Sequence, residues 1–268
     1  MWGAAQTVTV GDHPLRVVRR GEGSPLLLIN GIGAPAEMWS PLAEHLNGRE
    51  LVAVDLPGVG SSPPSHRPLR MRGLAELVAG LLDQLGHDRI DVLGYSFGGS
   101  VAQELAWRAP DRVGRLVLCA SSSGVGSTPP RPLAAMMILT PARYENRTLA
   151  RWIMPAVAGG RTRRDAAVLE ATLTHRLANP PSRLGYLHQL YAITGWSSNP
   201  WLRRVRHRTL LLHGDQDPLV PVINARRMAK AMPDARLRVL EGAGHLFLID
   251  EPGSVVGELN GFLSRTGR

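Results

Sequence analysis

Ile90-Asp91-Val92-Leu93-Gly94-Tyr95-Ser96-Phe97-Gly98-Gly99 passes from an apolar run, through a serine framed by glycines, into an amphipathic segment. Arg89–Leu93 reads as a strand buried on both faces and Phe97–Arg108 as a helix. Gly94-Tyr95-Ser96-Phe97-Gly98 matches the G-x-S-x-G turn. The match is weak alone and gains weight from the strand before it and the helix after it. A serine at so sharp a turn sits in strained backbone, and bulk two residues to either side would clash. Gly94, Gly98 and Gly99 clear that space. The turn exposes the hydroxyl and aims the first helical N–H groups at the same point. A serine that merely caps the helix is the plain alternative.

Outward from this turn the chain alternates. Gln6–Val10 and Leu15–Arg19 read as strands joined by a hairpin at Gly11-Asp12. Leu26–Asn30, Leu51–Asp55, Arg115–Ala120, Thr209–His213 and Arg236–Leu240 read as further strands. Trp39–Leu46, opened by Ser40 and Pro41, reads as a helix. Leu74, Leu77, Val78, Leu81, Leu82 and Leu85 mark one helical face, ended by Gly86. Val222–Met232 and Pro252–Ser264 are the last helices. The pattern predicts an α/β fold: a mostly parallel eight-stranded sheet with helices on both faces and the opening hairpin at one edge.

Residues 124–205 break the alternation. They are helical in pattern, rich in Pro, Met and Arg, and hold six of the thirteen aromatics. They are expected to form a helical lid inserted in a core made of 1–123 and 206–268. A helical layer without a part in the site is the alternative. Met136, Met137, Ile138 and Leu139, with the segment's aromatics, suit an apolar acyl groove.

A hydroxyl needs a base to act as a nucleophile. Of nine histidines, His245 stands out, because Glu241-Gly242-Ala243-Gly244-His245 follows the last strand at the rim where Ser96 lies. His213 reads as structural, His175 and His188 as candidate pocket lining, and the others as solvated. The base needs a carboxylate to hold its tautomer. Gly214-Asp215-Gln216-Asp217-Pro218 offers two. The proline biases Asp217 to an extended conformation and favours it over Asp215, which suits bonds to loop N–H groups. The order Ser96, Asp217, His245 differs from both main serine-protease orders. The oxyanion donors are expected at the N–H of Phe97 and, in the loop Asn30-Gly31-Ile32-Gly33, at that of Ile32. Gly31 and Gly33 would let the backbone approach the substrate.

Leu26–Gly33 followed by Trp39, Asp55-Leu56-Pro57-Gly58-Val59-Gly60-Ser61-Ser62, the serine turn, the acid loop and Gly244-His245 together resemble the α/β-hydrolase superfamily across nearly the whole chain. Several stretches are similar to the intracellular poly(3-hydroxyalkanoate) depolymerases of the medium-chain type. They are 27–34, 57–60, 201–206, 217–224 and Gly244-His245-Leu246-Phe247-Leu248, with Asn30-Gly31 where the superfamily more often has His-Gly. The resemblance implies a granule-associated hydrolase of stored polyester, with Ser96, Asp217 and His245 in the family's roles. One departure is Phe97, where the family is expected to carry tryptophan.

Bulk properties narrow the rest. The 268 residues carry a formal charge of +9, with Lys230 the only lysine. No aromatic interleaves with Arg161, Arg163 and Arg164, so no nucleic-acid partner is expected. No apolar run is long enough to span a bilayer. The opening does not read as a secretory signal, and Cys119 is the only cysteine, so a cytoplasmic location is expected. No metal or cofactor motif occurs, and none is expected. The expected partner is a hydrophobic ester or polyester, with contact to a granule surface. Rival readings are a general carboxylesterase, a carbon–carbon bond hydrolase or a perhydrolase of the same fold, and a binding protein with a vestigial triad.

Overall fold

The apolar runs become strands in the structure, a computed structural model that describes residues 2–264 and all their side chains but those of Ala142, His175 and Ala178. In chain order the elements are β1 Gln6–Val10, β2 His13–Arg20, β3 Ser24–Ile29, α1 Ser40–Ala43, β4 Arg49–Val54, α2 Met71–Gln84, β5 Ile90–Tyr95, α3 Phe97–Arg108 and β6 Val113–Cys119. Then follow α4 Pro132–Ile138, α5 Arg147–Ala158, α6 Gly160–Arg164, α7 Ala166–Ala178, α8 Arg183–Ile193, β7 Thr209–Gly214, α9 Val222–Ala231, β8 Ala235–Leu240, α10 Phe247–Asp250 and α11 Gly253–Ser264.

The eight strands form one sheet in the order β1-β2-β4-β3-β5-β6-β7-β8. The β1–β2 and β2–β4 pairs are antiparallel, which puts the hairpin at one edge. All later pairs are parallel, and Ile29 of β3 faces Gly94 of β5 in register. Because side chains alternate along a strand, each buried strand feeds two cores. Leu27, Ile29, Val92 and Leu116 pack under α2, α3 and α9. Leu26, Leu28, Leu93 and Val117 pack under Trp39, Leu42 and the apolar face of α11.

The expected helix over Trp39–Leu46 is not a single helix. A 3-10 turn covers Ala36–Trp39 and only Ser40–Ala43 is α-helical. Buried Asp55, just past β4, accepts from Ala36 N through Oδ1 at 2.7 Å and so ties the start of that turn to the sheet. Burial raises the Asp55 pKa, opposed by the Arg16 guanidinium that bonds the other oxygen. Strand and helix limits otherwise differ from expectation by a few residues, as ends fray between neighbours.

Between β6 and β7, residues 124–205 form α4 to α8 with no named strand among the described residues, only an isolated bridge between Gly124 and Ser197. No described helix is long and apolar enough to cross a membrane.

Candidate active site

The parallel strands end on one rim, and three of the loops leaving it carry the polar residues singled out above. Ser96 directly follows β5 with φ of 52° and ψ of −116°, a conformation that costs a non-glycine residue of order 1–3 kcal/mol. The surroundings fix it there. Ser96 N donates to Cys119 O at 2.8 Å, and Ser121 Oγ donates to Ser96 O at 3.0 Å. A Cβ on Gly98 would lie 2.0 Å from Ile29 O, so the glycine lets α3 start hard against β3.

His245 lies in the loop after β8 and Asp217 in the loop after β7, each 5% exposed. His245 Nε2 is 3.0 Å from Ser96 Oγ, and Nδ1 is 2.7 Å from Asp217 Oδ2. The other carboxylate oxygen accepts from Leu219 N and Val220 N, both at 2.9 Å. Such an acid is held in a single orientation before any imidazolium forms beside it. Asp215 takes the loop-tying part, accepting from Gly242 N at 2.8 Å. His213 stands 3.6 Å from Asp217 Oδ2 and 2.7 Å from Val220 O. Burial lowers its pKa against the pull of Asp217, so the ring stays neutral and donates to that carbonyl.

Tyr95, unmarked in the sequence reading, secures the histidine loop. Its hydroxyl donates to His245 O at 2.6 Å, and burial followed by the Asp217 charge raises its pKa well above the phenol value. His245 N donates in turn to Ala158 O, the last residue of α5, at 2.6 Å. A tyrosine inside the serine turn was the only available signal.

Ile32 joins Ser96 and His245 in lining a cavity of about 30 Å³. Its N–H has no hydrogen-bond partner among the described residues. Phe97 opens α3, where an N–H has no intrahelical acceptor, and its side chain packs in the core. Gly33 departs from expectation: its open face meets Tyr186, Pro181 and Tyr144, leaving no room for substrate. The loop is instead braced from residues 124–205. Tyr144 Oη donates to Ile32 O at 2.6 Å, and Gly33 N donates to Gln189 Oε1 at 2.8 Å.

That segment also walls the cavity through Ile138, Arg143, Met154, Val157 and Arg176. Of the apolar cluster at 136–139, only Ile138 lines it; Met136 and Leu139 are exposed. Trp201 stacks on Trp107 and Trp196 bonds Glu104, both against α3. His188 pairs with Ser65 and is not among the residues lining the cavity, and the side chain of His175 lies outside the described residues. A larger groove of about 910 Å³, lined by Arg89, Arg206 and Arg208 among others, lies away from Ser96 at the opposite strand ends.

Residues 24–252 match the family model of the alpha/beta hydrolase fold. The chain is 38% identical over 265 residues to a poly(3-hydroxyalkanoate) depolymerase of Ectopseudomonas oleovorans, covering 97% of this chain and 92% of that protein. It is 28% identical to a 2-hydroxy-6-oxo-2,4-heptadienoate hydrolase of Pseudomonas putida, covering 91% and 90%. A hydrolase from Pseudomonas aeruginosa superposes with a TM-score of 0.84 at 27% identity, covering 98% of this chain and 99% of that one. The chain belongs to the alpha/beta hydrolase family, and among its relatives is a poly(3-hydroxyalkanoate) depolymerase.

Proposed function

We propose that the protein is a serine hydrolase that cleaves carboxylic esters through an acyl-enzyme, acting on poly(3-hydroxyalkanoate) chains or medium-chain 3-hydroxyacyl esters. The observation that carries this reading is the bonded line from Ser96 Oγ through the His245 ring to Asp217. With Nδ1 protonated toward Asp217, Nε2 is free to take the Ser96 proton as Oγ attacks the ester carbonyl. The negative oxygen that develops is met by the N–H groups of Ile32 and Phe97. His245 then protonates the leaving alcohol. Water, activated by the same Nε2, releases the acid and restores Ser96. No step needs a metal or organic cofactor.

Residues 124–205 act as a lid in this reading. A cavity of about 30 Å³ is far below the roughly 300–1,000 Å³ of small-molecule pockets, so a medium acyl chain enters only when this segment shifts. Trp152 at 80% exposure, with Leu133, Met136 and Leu139, gives the same segment an apolar outer surface suited to a polyester granule in the cytoplasm. The likeness to the Ectopseudomonas depolymerase supports the polymer substrate.

The test pairs fluorophosphonate labelling of Ser96 with initial rates on aryl esters of graded acyl length and clearing of a polyester suspension. Labelling, a preference for medium over acetyl chains and clearing are expected. Fastest turnover of acetyl esters without clearing removes the polymer and leaves the esterase. The Pseudomonas putida relative makes dienoate cleavage the second substrate to assay.

A further inference from the structure

Two arginines line the cavity beside Ser96 without an acid to answer them. Arg143 lies in the 3-10 turn Pro141–Tyr144 before α5 and Arg176 on α7, and they are 2% and 8% exposed. Among the described residues neither forms an ion pair, and Arg143 Nε, Arg143 Nη1 and Arg176 Nε have no hydrogen-bond partner. Both guanidinium groups rest over the Tyr144 ring, at 5.1 and 4.7 Å from its centroid, and Arg143 also lies 5.4 Å from that of Tyr186. Arg176 Nη2 donates to the Tyr144 hydroxyl. Ring attraction is smaller than the cost of enclosing a cation without a counter-charge. Asp217 is committed to His245 and two backbone N–H groups. The site lacks an anion that its arginines are built to meet.

We propose that Arg143 and Arg176 bind a carboxylate carried by the substrate, so that the preferred bond is the carboxyl-terminal ester of a 3-hydroxyacyl chain. The inference rests on the ester-hydrolase reading and names its substrate end. A guanidinium pairs with a planar carboxylate through two parallel N–H bonds. In such a chain only the terminal carboxyl is charged, and two carbons separate it from the last ester oxygen, so the two groups are close enough to engage the arginines and Ser96 together once residues 124–205 shift to admit the chain. Ser96 takes the acyl part, which is the rest of the chain, and the terminal 3-hydroxy acid leaves as the alcohol, protonated by His245. Water then adds hydroxide to the acyl carbon and returns a proton to Ser96. The shortened chain ends in a new carboxylate and presents the same group for the next turn.

The experiment compares kcat/KM for the dimer of 3-hydroxyoctanoate with a free terminal carboxyl against its methyl ester. The acid is expected to be roughly tenfold to a hundredfold better. Arg143→Gln and Arg176→Gln should bring that ratio toward one through the KM of the acid, and Arg143→Lys should keep part of it. The ratio, unlike the rate, is unmoved by a loss of folded protein. Equal turnover of acid and methyl ester by the native protein, or a ratio unchanged in both Gln variants, overturns the proposal. Faster turnover of dicarboxylic hemiesters, whose charge lies on the acyl side, overturns the chain-end assignment. Calorimetric titration with 3-hydroxyoctanoate and with its amide decides the carboxylate site without turnover. Tighter acid binding lost in Arg143→Gln supports the site, and equal binding overturns it. Neutral-ester turnover without charge preference defeats this inference alone. Absence of all ester turnover with Ser96 unlabelled defeats the hydrolase reading instead.

Discussion

The loops after β5, β7 and β8 and the helices of 124–205 meet at one cavity, yet they are held in different ways. The loops hang on backbone bonds: Cys119 O holds Ser96, and the Leu219 and Val220 N–H groups hold Asp217. The helical segment reaches the cavity through side chains such as Ile138, Met154 and Val157, and leaves Trp152 and Leu139 in solvent. In the proposed reading, chemistry would sit on the loops of the sheet and selection on the part whose packing can rearrange. Relatives of the chain are named for a polyester and for a dienoate substrate.

Substitutions on each side of this division should fail differently. Ser96→Ala is expected to cut kcat on aryl esters about 10⁶-fold with an unchanged melting temperature, since the change empties no core space. Asp217→Asn should cost about 10⁴-fold by offering Nδ1 the wrong partner, again read in kcat. A folded Asp217→Asn protein with near-native rates would break the assignment of chemistry to the loops.

The joint between the regions should respond to pH. Asp250 of α10 accepts from Thr162 N and Oγ1 of α6, and burial, more than those bonds can offset, pushes its pKa up to about 6. The folded state thus holds this proton more tightly than the unfolded chain, whose aspartates titrate near about 3.9. The associated stability is complete below that value and lost as pH rises through about 6. It amounts to at most about 3 kcal/mol. Thermal melts between pH 4 and 7 should show this loss in the native protein and not in Asp250→Asn.

Tyr95→Phe strips the buried His245 carbonyl of its donor, at about 1–3 kcal/mol. We expect kcat to drop roughly tenfold with KM little changed, because Tyr95 positions the base and leaves the acyl group untouched. Trp152→Ser should show the smallest effect: about a severalfold loss in polyester clearing with aryl-ester rates intact, as expected for an exposed apolar contact.

Sequence pattern carried the frame well, because Leu26–Ile29, Val92–Leu93 and Leu210–Leu212 are apolar runs buried on both faces of the sheet. Ser96 and Asp217 were legible because each lies a few residues beyond such a run, and His245 because its Gly-rich loop follows the alternating strand β8. Trp39–Leu46 misled: the chain enters there through a 3-10 turn that begins at Ala36, tied to Asp55 just past β4, and only Ser40–Ala43 is α-helical. The aromatics of 124–205 misled too: Trp196 and Trp201 are spent against α3. Arg143 and Arg176 were invisible among thirty arginines, because only burial without a partner distinguishes them.

The bond from His245 N to Ala158 O ties the proposed base to the end of α5. Gly159 and Gly160, both at positive φ, follow directly and offer a pivot there. Under the proposed lid, a long chain would be admitted by a swing of the other end, around α4, with the pivot shut. A guest that pried α5 loose at Ala158 would slacken the imidazole it depends on, and the door would open onto an idle machine.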